Sequence, residues 1–433
     1  MIKKQKNVII GGGVTGLYLA YRLCKRGEKV VLVEKEKELG GLLACFNLGG
    51  VRLEKTYHHI FTSDKNIIKL INELGLSKRL DWHKSSMSLF WNDYFWPFGK
   101  AVDLLKFRPI SLVDRLRTGV ISLYLQKRAN WKNLENMTAE TYMKKMVGRA
   151  SYKVIWEPLL KSKFGKEYKN VSMAWLWARL NSRGGSKEAG VEKLGYMDGS
   201  FELLIKKLAD QIKDMGGKII TECTVNKVLN KGNKVDIKMN GKKMIFDRCF
   251  VTLANSDFGK LLNGKKYGSY IKKLKQIKYL GVVNLIFSSQ QDLSDYYWNN
   301  INDTKSPFVA FVEQTKLVDK KVYSGQHVYF LGNYMDTKSD IFMASNDKIK
   351  SIYLNYLKKI VPSFDPNKVI NSRVYRFNKA QHVVDCNYRQ KIMETKTQLK
   401  NVYLLNFSQV YPRDRGINWA IGSVDEFLKE LTK

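Results

Sequence analysis

N-V-I-I-G-G-G-V-T-G, residues 7–16, is the stretch that decides the fold of this 433-residue chain. Its apolar start predicts a short buried strand, and the residues after it, 17–26, have the apolar spacing of a helix. A second apolar run, residues 29–33, predicts another buried strand, and Glu34 follows it. The order strand, glycine turn, helix, strand and acid predicts a unit that binds a dinucleotide.

The residue types in this unit are those that dinucleotide binding requires. Gly11 permits a tight turn, Gly13 lets a pyrophosphate approach the backbone, and Gly16 lets the helix pack closely on the sheet. The helix N-terminus, where Thr15 lies, supplies unpaired N–H groups to the phosphates. Glu34 is placed to accept both hydroxyls of an adenosine ribose. The unit alone does not distinguish NAD from FAD.

The segments after this unit resemble the superfamily of flavin amine oxidases, protoporphyrinogen oxidases and phytoene desaturases. Residues 33–42 look like the segment in which paired glycines, here Gly40 and Gly41, pass beside the cofactor. Leu42 stands where many amine oxidases have arginine, so an arginine contact is not expected there. Residues 57–61, Y-H-H-I-F, are similar to protoporphyrinogen-oxidase-like members.

The far end of the chain resembles the same superfamily. Residues 411–421, Y-P-R-D-R-G-I-N-W-A-I, look like the closing segment, in which a turn feeds a helix N-terminus beneath the isoalloxazine ring. The resemblance implies flavin contacts at Gly416 and Asn418, and a contact of the Val225 backbone with the adenine edge. A second helix N-terminus would also stabilise negative charge on the reduced ring. The expected cofactor is therefore FAD.

The expected fold is α/β, with a Rossmann-like FAD-binding domain of three layers around a parallel sheet. Apolar residues at helical spacing predict a helix ending at residue 215, and Asn240-Gly241 predicts a two-residue hairpin turn. The FAD-binding domain is expected to be discontinuous, with an interleaved α+β substrate domain. The predicted boundaries are residues 1–84, 196–260 and 396–433 for the FAD-binding domain, 85–195 for a helix-rich insertion, and 261–395 for the mixed α+β part.

The composition departs from the average in its charge. The chain has 75 Lys and Arg residues and 40 Asp and Glu residues, which give a net charge of +35. Such a charge favours anionic partners, although lysines spread over a solvated surface explain it equally well. No motif accompanies it that would indicate a specific nucleic acid. Residues 100–132 mix basic and large apolar residues, which is typical either of a packed amphipathic helix or of a helix lying on an anionic membrane.

The five cysteines lie far apart and form no C-x-x-C pair, so neither a disulfide framework nor a zinc site is expected. A reducing cytoplasm fits best, with peripheral attachment to the inner face of a membrane left open. No apolar run is long enough to span a bilayer. The five histidines show no metal-ligand spacing with cysteines or carboxylates, so no metal is expected.

The expected function is an FAD-dependent oxidoreductase that oxidises a C–N or C–C bond of a small apolar or amine substrate by hydride transfer to flavin. His58 and His59 are the candidate catalytic residues, because their segment is expected to pass near the ring. A structural role for either histidine stays open.

Two other functions also stay open. Residues 59–61 resemble the pattern of UDP-galactopyranose mutases, in which reduced flavin attacks a nucleotide sugar, but the arginine and tyrosine pattern of the mutase tail is not recognisable. The other function is a non-catalytic basic flavoprotein that serves as a binding module.

Overall fold

The computed structural model describes residues 5–184, 187–188 and 191–431. In chain order its strands are β1 (Lys6–Ile10), β2 (Lys29–Val33), β3 (Cys45–Leu48), β4 (Val51–Glu54), β5 (Ile60–Phe61), β6 (Leu80–Lys84), β7 (Met87–Trp91), β8 (Tyr94–Pro97), β9 (Lys187–Glu188), β10 (Val191–Met197), β11 (Lys218–Ile220), β12 (Val225–Lys231), β13 (Lys234–Met239), β14 (Lys242–Phe246), β15 (Arg248–Val251), β16 (Tyr279–Ser289), β17 (Trp298–Ile301), β18 (Ala310–Glu313), β19 (His327–Met335), β20 (Val369–His382) and β21 (Val402–Leu404). Its α-helices are α1 (Val14–Lys25), α2 (Lys65–Glu73), α3 (Ala101–Lys106), α4 (Leu112–Lys127), α5 (Ala139–Val147), α6 (Arg149–Ser151), α7 (Glu157–Phe164), α8 (Met173–Gly184), α9 (Glu202–Asp214), α10 (Asn255–Leu261), α11 (Gly268–Leu274), α12 (Asp340–Met343), α13 (Asn346–Ile360), α14 (Tyr388–Lys391) and α15 (Ile417–Glu430).

Five parallel strands form one sheet in the order β11-β2-β1-β15-β21. The residues of β1 alternate between two cores. Ile9 packs in one core with apolar residues of α1, α9 and α15, whereas Val8 and Ile10 pack in another with β12, β13, β14 and α10. Burial on both faces explains why these strands are nearly continuous apolar runs. The predicted α/β fold with three layers around a parallel sheet is confirmed.

The parallel sheet is discontinuous in sequence. Strands β1 and β2 precede residue 84, β11 and β15 lie between residues 196 and 260, and β21 follows residue 396. The helix expected to end near residue 215 is α9, and the hairpin expected at Asn240-Gly241 joins β13 to β14 with φ angles of 44° and 79°. The domain boundaries themselves stay predictions.

A second sheet has seven strands in the order β20-β16-β19-β18-β17-β7-β8. One face packs partly on the core of helices α4 to α8 and partly on the core that contains Ile9, and the other face is covered by α13. Strands β7 and β8 belong to the segment expected to be helix-rich. They form a hairpin because Asn92 and Asp93 both adopt positive φ, 49° and 58°, as a two-residue turn requires, and β7 pairs in parallel with β17.

Among the residues that the structure describes, none of the helices combines the length and apolar character needed to cross a bilayer.

Candidate active site

Gly11 and Gly16 shape the turn between β1 and α1. A Cβ on Gly11, whose φ is +112°, would lie 2.5 Å from the Thr252 hydroxyl oxygen, and a Cβ on Gly16 would lie 2.0 Å from the Gly11 carbonyl oxygen. A Cβ on Gly13 would have no heavy atom of the described chain nearer than 4.0 Å. This space adjoins the N-terminus of α1, which no side chain caps. The first N–H groups of α1, including that of Thr15, are therefore available to an anion.

Glu34 and the glycine pair Gly40-Gly41 lie against the same turn between β1 and α1. The Glu34 carboxylate accepts the Gly12 N–H at 2.6 Å and the Glu36 N–H at 2.9 Å, each on a different oxygen. A carboxylate oxygen has a second lone pair, so each can still accept a ribose hydroxyl. Gly40 donates its N–H to the Gly12 carbonyl at 2.8 Å, and a Cβ on Gly41, whose φ is +60°, would lie only 3.2 Å from the Gly13 Cα. The two glycine segments thus lie beside one slot, in which we expect the diphosphate.

Val225 lies close to the same end of the site. The Cys223 N–H donates to the Glu34 carbonyl at 2.9 Å, and Val225 opens β12 two residues later. Its side chain is buried in the core below the parallel sheet. The adenine contact of Val225 stays a prediction, and with the side chain buried it would come from the backbone.

The other end of the site is a cavity of about 210 Å³. Leu42, directly after the glycine pair, lines it, so the cavity begins next to that pair. Segments distant in sequence enclose it, and their lining residues include Tyr57, His58, His59, Lys163, Arg179, Asn284, Trp298, Tyr334, Gln381, Asp414, Arg415, Gly416 and Asn418. The N-terminal and C-terminal segments therefore meet here, and α15 is also tied to α1 by a 2.8 Å hydrogen bond from the Tyr18 hydroxyl to Asp425.

Both candidate histidines line this cavity. His58 Nδ1 lies 2.8 Å from the Thr56 carbonyl oxygen, so Nδ1 must be the donor and Nε2 is left as an acceptor. Burial lowers the pKa of His58 to about 4, and Arg415 adds to the effect, so the ring is neutral at pH 7. His59 Nδ1 lies 3.1 Å from the Tyr297 hydroxyl, and its ring packs edge-on against Phe61. His59 is thus held by an aromatic cluster.

Gly416 and Asn418 are positioned differently from each other. Gly416 precedes α15, and a Cβ there would meet nothing within 4 Å among the described atoms, which leaves space at the helix N-terminus. The Asn418 side chain instead caps α2, because its Oδ1 accepts the Asn66 N–H at 2.8 Å and the Ile67 N–H at 3.3 Å. Any contact of Asn418 with a flavin is therefore expected from its backbone.

Three cationic side chains, Lys163, Arg179 and Arg415, line the cavity together with two carboxylates, Asp64 and Asp414. Arg179 forms a 3.5 Å ion pair with Asp414, which also accepts the Trp175 indole N–H at 3.3 Å. Arg415 donates to the Tyr334 hydroxyl at 2.8 Å and to Gln381 at 3.0 Å. The Lys163 ammonium lies 4.5 Å from the centre of the Tyr334 ring. Lys163 forms no ion pair with the residues that the structure describes.

The electrostatics of this cluster are set by burial and by its positive charge. Burial lowers the pKa of Lys163 to about 8, and Arg179 and Arg415 add to that effect. Burial alone would raise the pKa of Tyr334, but Lys163 and Arg415 outweigh it and lower that pKa to about 8. Tyr57 interacts with Tyr334, and burial raises the pKa of Tyr57, so Tyr334 is the phenol of this pair that ionises first.

The cluster contains residues that sequence reasoning missed. Asp414 and Arg415 belong to the quoted closing segment, and two arginines flanking an aspartate before a helix were an available signal. Lys163 and Arg179 lie on α7 and α8, more than 200 residues from that segment. No local pattern distinguishes these two side chains from the other basic residues of the chain.

One histidine outside the cavity meets carboxylates, although sequence spacing indicated no such group. His327 Nδ1 lies 2.8 Å from Glu313, and Asp292 is close enough for the three to share an ion. Lys316 pairs with Asp292 at 2.7 Å, so an ammonium already neutralises part of the negative charge. Burial raises the pKa of Glu313 to about 8.

The chain is similar to known flavoproteins over most of its length. The family model of flavin-containing amine oxidoreductases matches residues 14–403. The 15-cis-phytoene desaturase of Narcissus pseudonarcissus is 23% identical over 340 residues, which cover 73% of this chain and 59% of the desaturase. The chain thus spans about three fifths of the length of this curated relative.

Solved structures share the fold at low identity. A protein from Exiguobacterium sp. 255-15, described as a candidate protoporphyrinogen oxidase, has a TM-score of 0.78 and 16% identity, with 100% of this chain and 99% of its own covered. Reduced UDP-galactopyranose mutase has a TM-score of 0.77 and 14% identity, with 99% and 97% covered. Because the family match covers most of the chain, the chain belongs to the flavin-containing amine oxidoreductase family, and its cofactor is FAD.

Proposed function

We propose that this protein oxidises a C–N or C–C bond of a small substrate by hydride transfer, and that the substrate carries an anionic group. The observation that supports this substrate class is the Lys163 ammonium, which has no ion pair within the described chain and lies in a cavity with Arg179 and Arg415. The proposal adds an anionic group to the apolar or amine substrate expected from sequence, because three cationic side chains line the cavity.

Residues at both ends of the site would hold FAD. The N–H groups around Gly13, Thr15 and Gly16 would bind the diphosphate, and Glu34 would accept hydrogen bonds from the ribose. The N-terminus of α15, after Gly416, would favour negative charge on the ring. When bound, FAD supplies the acceptor for the hydride and its two electrons. The chain's own contribution is to position the substrate and exclude water.

An anionic group would complete the charge balance of the cavity. Three cations against the two carboxylates of Asp64 and Asp414 leave a net charge of +1 in the cavity lining when all five groups are ionised. An ammonium removed from water without a partner is costly, and the lowered pKa of Lys163 reflects that cost. A carboxylate or phosphate on the substrate would pair with Lys163. The hydrogen bonds of Arg415 to Tyr334 and Gln381 hold its guanidinium in place beside that partner.

His58 remains a candidate for contact with the reacting part of the substrate. Its neutral ring presents Nε2 as an acceptor, since Nδ1 is committed to the Thr56 carbonyl. An acceptor of this kind orients a substrate N–H or O–H group. His59 is held against Tyr297 and Phe61, and we assign it a positioning role.

Anaerobic reduction of the FAD-bound protein tests the proposal. Amino acids are compared with their methyl esters, which have the same C–N bond but no carboxylate, and bleaching of flavin absorbance is followed. Acids are expected to bleach the flavin at lower concentration than esters, and Lys163→Met is expected to remove that difference. Lys132→Met, at an exposed lysine, is the matched control. Equal bleaching by acids and esters in the wild type would exclude the anionic substrate, and failure of every substrate, with dithionite still bleaching, would exclude the oxidation.

The same cationic cluster supports one alternative, a mutase acting on a nucleotide sugar, because a diphosphate would also pair with Lys163 and Arg179. The dithionite-reduced protein would then convert UDP-galactofuranose without net oxidation. A non-catalytic binding module would bind FAD and neither bleach with substrate nor convert the sugar.

A further inference from the structure

Helix α4 exposes more apolar surface than it buries. Of its sixteen residues only Thr118 and Leu125 are buried. Six large apolar side chains of α4 and two of α3 are between 46% and 73% exposed, namely Val102, Leu105, Leu112, Val113, Leu116, Val120, Leu123 and Tyr124. These eight residues are called the apolar face below. Large apolar side chains exposed together, unlike single ones, indicate an interaction surface.

The apolar face is continuous. Val113, Leu116, Val120 and Leu123 follow one another at intervals of three, four and three residues, which places them on one side of α4. Arg115 of α4 donates to the Leu105 carbonyl of α3, so the two helices are joined. The Leu104 side chain of α3 also lies beside Gly119 of α4.

Basic side chains surround the apolar face. Residues 100–132 contain eight lysines and arginines and two aspartates. Both aspartates are occupied at helix N-termini, since Asp103 accepts the Lys100 N–H at 2.7 Å and Asp114 accepts the Ser111 hydroxyl at 2.8 Å. Seven of the basic residues are exposed, namely Lys100, Lys106, Arg108, Arg117, Lys127, Arg128 and Lys132.

This charge distribution indicates which kind of partner covers the apolar face. A second copy of the chain docked symmetrically would bring the same basic residues together, which is repulsive. An anionic lipid surface offers an apolar interior for the exposed Val and Leu side chains and negative headgroups for the lysines and arginines. We propose that the apolar face of α3 and α4 lies in the interface of an anionic membrane, with the helices parallel to its plane. This proposal is independent of the substrate, and it rests on a different part of the molecule.

Vesicle flotation of the FAD-bound protein at low salt tests the proposal. The wild type is expected to float with vesicles of phosphatidylcholine and phosphatidylglycerol, and to bind vesicles of phosphatidylcholine alone much more weakly. The double variant Val113→Ser and Val120→Ser is expected to bind the anionic vesicles at least about tenfold more weakly, because it removes apolar area from the interface. Both side chains are largely exposed, so the fold and the flavin content should be unchanged.

Two further variants separate the contributions of charge and position. Replacing Lys106, Arg108 and Lys127 together by Gln should weaken binding to anionic vesicles and leave the weak binding to neutral vesicles unchanged. Met343→Ser with Ile370→Ser removes exposed apolar side chains elsewhere and should float as the wild type does. The proposal is overturned if the wild type does not float with anionic vesicles, if the Val113 and Val120 variant floats equally well, or if that variant instead dissociates a dimer in sedimentation.

Discussion

Replacing Gly13 by alanine tests whether a ligand approaches the backbone at the glycine turn. Gly13 has φ of −71° and ψ of 176°, which alanine adopts without strain, and the added Cβ has no neighbour nearer than 4.0 Å in the described chain. The free protein should therefore keep its free energy of unfolding within about 0.5 kcal/mol. The same methyl group would occupy space that we assign to the diphosphate.

The expected loss can be estimated from that overlap. Inserting one methyl group into a filled space costs about 1 to 3 kcal/mol, which corresponds to a dissociation constant for FAD raised about 5- to 160-fold. The assay is titration of the apoprotein with FAD, followed by quenching of flavin fluorescence, with thermal unfolding measured by circular dichroism. Gly268→Ala is the control, because that residue also has negative φ, −56°, and no described atom within 4 Å of the new Cβ. An unchanged affinity of Gly13→Ala for FAD would refute the assignment of the slot.

Three more predictions follow from the geometry. As pH rises through about 8, Lys163 loses its positive charge and Tyr334 becomes a phenolate. For an anionic substrate, kcat/KM of the wild type should therefore fall about tenfold per pH unit above pH 8. For Lys163→Met, kcat/KM should be lower below pH 8 and should fall less steeply above it. The ring nitrogens of His382 have no partner among the described residues, and burial and Arg415 lower the pKa of this histidine to about 3. The folded protein therefore resists protonation of His382, and the free energy of unfolding decreases as pH falls below about 6.5, where the unfolded chain takes up that proton. His382→Phe should raise the free energy of unfolding by about 1 to 3 kcal/mol and make this decrease smaller in urea titrations. Asn418→Ala removes the cap of α2 and should lower the melting temperature, with a loss of about 0.5 to 2 kcal/mol, and an unchanged melting temperature would contradict the capping role.

The nucleotide end of the site could be predicted because its constraints are local. The clash that a Cβ on Gly16 would have with the Gly11 carbonyl arises within five residues, and Glu34 meets Gly12 across neighbouring strands of one unit. A short motif therefore determines both the conformation and the ligand that fits it.

The substrate end could not be predicted in the same way. Lys163, Arg179 and Tyr334 come together only because α7, α8 and β19 pack around one cavity, and nothing in the residues beside them in sequence indicates that neighbourhood. The exposure of the apolar side of α4 could not be predicted from the sequence either, because apolar residues have the same spacing whether that side of the helix faces a core or the solvent.

The order of the parallel sheet has a consequence for synthesis of the protein. The Gly11–Gly16 segment and Glu34 have been synthesised once residue 34 is reached, whereas β21 and the start of α15 follow about 370 residues later. At about 5 to 20 residues per second, the ribosome needs roughly 20 to 75 s to cover that interval. During this time the nascent chain lacks the N-terminus of α15, which we assign to the flavin ring, so tight retention of the cofactor is expected to begin only as translation reaches α15.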